Sequence, residues 1–154
     1  MKRLVLAAVA ASLLTATSAW AGATPEATIH QFIDAFDKGD AAGAAATHAA
    51  DVSIIDEMAP HIWSGSGAFQ AWAGAVMADA KANGESGNAV TLGDVIRSQD
   101  DGDTAYVTIN ATYSYTQKGA AIAEPAQMAF ALRKTSGDWK ITAWAWSGTV
   151  PKAK

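Results

Sequence analysis

Two neighbouring carboxylates, Asp56 and Glu57, follow a short run of branched residues, Val52-Ser53-Ile54-Ile55. A carboxylate at the end of such a run can serve as a general acid or base, because apolar neighbours such as Ile54, Ile55 and a tryptophan raise its pKa toward neutrality. The same pair also fits a solvated turn. His48 lies eight residues upstream and offers a second titratable group. A His and a carboxylate meeting across a cavity form a base and its orienter. With His61 and Glu57 they would instead make an imidazole–carboxylate metal site, and alone His48 would be a core histidine with one hydrogen bond. No HExxH or comparable spacing supports a metal, so neither metal nor cofactor is expected.

A second set of residues could build a ligand-binding wall. Six tryptophans are present, and Trp63, Trp72, Trp139, Trp144 and Trp146 fall outside the N-terminal apolar stretch. Period-two spacing puts Thr142, Trp144 and Trp146 on one face of a strand, and the same register turns Met128 and Phe130 of the preceding strand inward. Phe32 and Trp72 come from helices and Trp63 from a short strand. Together Phe32, Trp63, Trp72, Met128, Phe130, Trp144 and Trp146 would line a pocket for a flat or bulky apolar molecule. Alternatively the rings simply fill the core.

These residues need elements to hold them. Thr24-Pro25-Glu26 supplies an N-cap, a first-position Pro and a first-turn acid, and Ile29, Phe32, Ile33 and Phe36 follow at helical spacing. Lys38-Gly39 stops that helix. Asp40 caps a second, Ala-rich helix running to about Ala50, which carries His48. Residues 51–55 and His61-Ile62-Trp63 form a short antiparallel pair. Ser64 or Ser66 caps a third helix containing Phe69, Trp72, Val76 and Ala80, which ends at Asn83-Gly84. Four long strands follow, over Val90 to Ser98, Ala105 to Thr116, Pro125 to Lys134 and Lys140 to Gly148, with turns at 100–103 and 136–138. The order is α+β. In the second long strand Tyr106, Thr108, Asn110, Thr112 and Ser114 alternate with Val107, Ile109, Ala111, Tyr113 and Tyr115, and the sequence leaves open which set faces inward. An outward apolar set would need covering by a second copy of the chain.

The chain has 154 residues, no Cys and a formal charge of −4. Lys2-Arg3, the apolar run Leu4 to Leu14 and Ala19-Trp20-Ala21 read as a signal peptide over 1–21, leaving a single domain over 22–154 that is periplasmic or secreted. Nine basic and fifteen acidic residues remain in that domain, a charge of −6. An acidic domain without a Lys/Arg cluster is not expected to bind nucleic acid. No later apolar run is long enough to span a membrane. Without Cys, thiol chemistry and disulfides are excluded.

The order helix–helix–hairpin–helix and then four long strands resembles the nuclear transport factor 2-like superfamily. Within it the chain is most similar to the ketosteroid isomerase and SnoaL-like branch. Residues 31–40 (QFIDAFDKGD), 50–56 (ADVSIID), Trp63-Ser64-Gly65 and Trp144-Ala145-Trp146-Ser147 carry the resemblance. It implies a cone-shaped curved antiparallel sheet wrapped around three N-terminal helices, with a pocket open at one end and a homodimer through the convex face. It also implies that Asp56 stands where those isomerases keep the base that removes a proton α to a carbonyl, and that Trp146 matches a pocket-lining tryptophan. Phe32 replaces their oxyanion-donating Tyr, and their second donor falls at Ala126 or, with a one-residue slip, Gln127. Loss of both donors argues against steroid isomerisation. The expectation is an exported domain that binds a small apolar or aromatic molecule, with no turnover or with turnover left open. The alternative is an isomerase, dehydratase or cyclase using Asp56, helped by His48.

Overall fold

The computed structural model describes residues 24–154, so the signal-peptide reading lies outside the described residues. Helix α1 (Pro25–Asp37) starts where Thr24 Oγ1 accepts the Ala27 N–H at 3.1 Å, and it buries Ile29, Phe32 and Ile33. Gly39, at φ +68°, makes the turn into α2 (Ala41–Ala46), whose cap is Asp40 accepting from the Gly43 N–H at 2.9 Å. Helix α2 is shorter than expected. His48 belongs to the first residue of β1 (His48–Ile55) rather than to a helix. There it pairs with Ile141, and the Ile141 N–H bonds Thr47 O at 2.9 Å, so sheet pairing overrides the alanine helix preference.

Strand β2 (Ile62–Ser64) returns antiparallel to β1, with Ile54 opposite Trp63. Ser64 therefore sits in a strand, and α3 (Ala68–Asn83) has no side-chain cap: its N-cap is Gly67, at φ +81°. The expected stop at Gly84 is present. Strands β3 (Glu85–Asp100), β4 (Thr104–Gln117), β5 (Ala120–Thr135) and β6 (Asp138–Gly148) form a meander, and β7 (Lys152–Ala153) pairs with the start of β5.

The sheet order is β2-β1-β6-β5-β4-β3 with β7 off this path. The sheet is not wholly antiparallel, because β1 lies parallel to β6, with Ile54 beside Trp144. Among the described residues, three helices thus sit in the cone of a curved, mixed, seven-stranded sheet.

The question of faces resolves on β4. Ala105, Val107, Ile109 and Ala111 are buried, while Tyr106 and Asn110 are exposed. The apolar set points inward and is covered by helices of the same chain, so the premise for a dimer through an apolar outer face does not hold. On β5 the inward set is Ala126, Met128, Phe130 and Leu132, with Gln127 exposed. Gln127 therefore cannot replace a pocket donor. On β6 one extra residue, Thr142, breaks the register between Ala131/Ala143 and Leu132/Ile141, and its hydroxyl donates to Ala131 O at 3.1 Å. This bulge places Trp139 and Ile141, as well as Trp144, on the buried side, whereas strict alternation sends Ile141 outward.

Candidate functional site

The open end of the cone holds a cavity of about 190 Å³ between α1, α3, the β1–β2 turn and the sheet. Trp72, Trp146, Phe36, Tyr113 and Tyr115 supply its aromatic wall, and Asp56, Glu57, Asp79, Glu85 and Glu124 supply carboxyl groups. The rings are in mutual contact. Tyr113 lies 5.2 Å from Tyr115 and 6.4 Å from Trp146, centroid to centroid, and Phe36 lies 5.9 Å from Trp72.

Asp56 follows the last residue of β1 and is fixed at both oxygens. One accepts the Trp72 indole N–H at 2.9 Å and the other the Met58 N–H at 3.2 Å. A donor from α3 and a donor from the turn thus aim the carboxylate across the cavity mouth.

Glu124 is the most buried titratable group among the described residues, only 1 % exposed. It stands on the inward face of β5, two residues before Ala126, and accepts the Trp146 indole N–H at 3.3 Å. Burial pushes its pKa up to about 7, the negative charge of Glu57 adds to the rise, and the Trp146 hydrogen bond opposes it. Burial also raises Glu57, while a hydrogen bond from Glu124 lowers it. Of the two carboxyls, Glu124 is the one whose proton persists toward neutrality. Gly148 makes room for this group, since a Cβ there would overlap Glu124 Oε1 and crowd the Trp146 indole nitrogen.

The phenols respond to the same surroundings. Tyr113 is pushed up to about 12 by burial, against a hydrogen bond from Asn88 and assisted by the charges of Glu85 and Asp79. Tyr115 is raised by burial and then by Glu85, Glu124, Glu57 and Asp79.

His48 stands elsewhere. Eight residues of strand separate it from Asp56, on the order of 25 Å when extended, and the two line different hollows. Its ring packs on Phe69 at 4.5 Å and edge-on to Phe32 at 4.7 Å. Nδ1 lies 2.9 Å from Ala44 O, which fixes the proton on that nitrogen, and Nε2 is buried without a partner. Burial lowers its pKa to about 4, so the ring is neutral at pH 7. The pairing of His48 with Asp56 is not formed. Among the described residues no three His, Asp or Glu side chains gather to hold a metal, and His61 is exposed in the loop.

The seven expected pocket residues divide. Trp72 and Trp146 line the cavity. Phe32, Met128 and Trp144 reach only a gap of about 30 Å³ behind it, which Trp72 and Trp146 also border. Trp63 and Phe130 are buried in the core. Sequence reasoning missed Glu124, although period-two extension from Phe130 through Met128 and Ala126 leads directly to it.

Residues 26–151 match the family of the SnoaL-like domain. No curated protein matches the chain. Among solved structures, a ketosteroid isomerase-like protein from Erwinia carotovora atroseptica is 22% identical, with a TM-score of 0.65 over 82% of this chain and 94% of that one. The hexachlorocyclohexane dehydrochlorinase LinA-type3 from Novosphingobium barchaimii LL02 has a TM-score of 0.69 at 12% identity, covering 84% and 89%. A protein of unknown function from Mycobacterium tuberculosis has a TM-score of 0.65 at 17% identity, covering 80% and 69%. At these identities the likeness establishes the fold.

Proposed function

The chain belongs to the SnoaL-like domain family, and from that premise we propose that it binds a small apolar or aromatic molecule in the cavity at the open end of its cone. The observation that carries this reading is the cavity of about 190 Å³ walled by Trp72, Trp146, Tyr113 and Tyr115, with carboxyl groups at one side to orient a guest. The test is tryptophan fluorescence with a panel of steroids, aromatic polyketides, lactones and phenyl-substituted alcohols. A guest at Trp146 changes the emission, and Trp146→Ala costs a tenfold to hundredfold loss of affinity, the worth of one stacked indole. If no member of the panel alters emission or thermal stability, the reading fails.

A second reading is acid/base turnover, favoured by one further feature: Glu124, raised to about 7 by burial, lines the same cavity as an Asp56 fixed by the Trp72 indole. Asp56 would act as the base and Glu124 as the proton donor in an isomerisation, dehydration or cyclisation. On this reading Asp56→Asn retains binding and abolishes product formation, as followed by mass spectrometry of a bound panel member. Binding lost together with turnover would instead make Asp56 a binding group.

We also propose that the domain works outside the cytoplasm, as Lys2-Arg3, the apolar run to Leu14 and Ala19-Trp20-Ala21 indicate. N-terminal sequencing of the exported protein is expected to read from Gly22. An intact Met1 start found only in the membrane fraction would make the segment an anchor.

A further inference from the structure

We propose that the guest of this cavity is a small organic ammonium ion, an amine carried on an apolar or aromatic skeleton. The proposal rests on the pocket reading above and deepens it. Five carboxyl groups line the cavity, and among the described residues no Lys or Arg lines it to offset their charge. A metal ion is a poor occupant, because nowhere among the described residues do three such groups come together in a ligating cluster. The carboxyls are instead spread around aromatic rings, and this second feature selects the kind of cation. Trp72, Trp146, Tyr113, Tyr115 and Phe36 present π faces and edges to the same space. Ring faces attract a soft, poorly hydrated cation, and they hold its hydrocarbon part by burial. A neutral guest gains only the second of these contributions.

Two details of the site suit a positively charged guest. Asp56 faces the cavity mouth with its oxygens fixed by the Trp72 indole and the Met58 amide, both neutral donors. Burial and then neighbouring carboxylates raise the Glu57 and Glu124 carboxyls, and burial followed by the surrounding carboxylates raises the Tyr115 phenol as well. An ammonium placed among them would favour full ionisation and expel the proton that Glu124 holds. Binding is then coupled to proton release.

The experiment is calorimetry on the exported domain with three probes of one shape: 2-phenylethylamine, 2-phenylethanol and 3-phenylpropionate. The amine is expected to bind roughly tenfold or more tightly than the alcohol, and the acid not at all. The preference should shrink with added salt and in the isosteric variants Glu57→Gln and Glu124→Gln. Should either variant fail to fold, Asp79→Asn with Glu85→Gln, two other carboxyls of the cavity lining, serves instead. Heats measured in phosphate and in Tris should differ by the ionisation heat of the released proton. If the alcohol binds as tightly as the amine and Trp146→Ala weakens both, the ammonium proposal is overturned while the pocket reading stands. If none of the three binds, and the wider panel leaves emission unchanged, both are overturned.

Discussion

At the level of single residues, Glu124 is where local chemistry and stability meet. An ordinary glutamate titrates near 4.5, and in the folded chain this one titrates near 7. A raised carboxylate pKa means that the native state holds a proton the unfolded chain has released. Below about pH 4.5 both states are protonated and Glu124 carries no penalty. As pH rises from there through 7 the penalty grows to its full value, about 3 kcal/mol. Glu124→Gln keeps the shape and removes the titration. Urea unfolding midpoints at pH 5 and pH 8 are therefore expected to separate: relative to the variant, the natural chain loses stability on going to pH 8. Parallel profiles would show that Glu124 ionises normally. Gly148 belongs to the same account, because any side chain there displaces the Glu124 carboxyl from its place beside Trp146.

At the level of elements, the outcome turns on a single inserted residue. Thr142 lets β6 bury Trp139 and Ile141 before the bulge and Trp144 after it. Deleting Thr142 restores strict alternation and sends one of these groups to the outer face, exposing large apolar side chains. That deletion is expected to abolish cooperative thermal unfolding by circular dichroism. Thr142→Ala, which keeps the residue count and loses only the bond to Ala131 O, should cost about 1 kcal/mol. A deletion variant that melts like the natural chain would show that register does not depend on the bulge. The same residue marks a boundary of what sequence can convey. Helix α1, the Asp40 cap, the hairpins and the four long strands were legible, because caps, glycines and periodicity are local signals. The parallel docking of β1 on β6 and the early end of α2 were not, since both depend on partners far along the chain. Asp56 was legible as a candidate through its place at a strand end. Its fixation by Trp72 and the proximity of Glu57 to Glu124 depend on α3 and β5 folding over the mouth, which no local pattern encodes.

For the molecule as a whole, the cone has a filled base and an open mouth, and two tryptophans two residues apart report on the difference. Trp144 is 3 % exposed and packs at 4.8 Å against Trp72 and 5.8 Å against Phe32, within the continuous core of α1, α3 and the sheet. Trp146, one inward position further along β6, is half-buried and borders the cavity, where its indole N–H reaches Glu124. Truncating the first leaves a void among groups that cannot collapse. Truncating the second mainly enlarges space already open. Trp144→Ala is expected to cost about 3–5 kcal/mol of stability. Trp146→Ala should cost less than half of that while taking most of the affinity for a cavity guest. Denaturant titration and fluorescence or calorimetric binding on the same two variants separate the roles. Equal losses of stability would place Trp146 in the core and close the mouth. A guest still bound with full affinity by Trp146→Ala would move the binding surface away from this end of the cone.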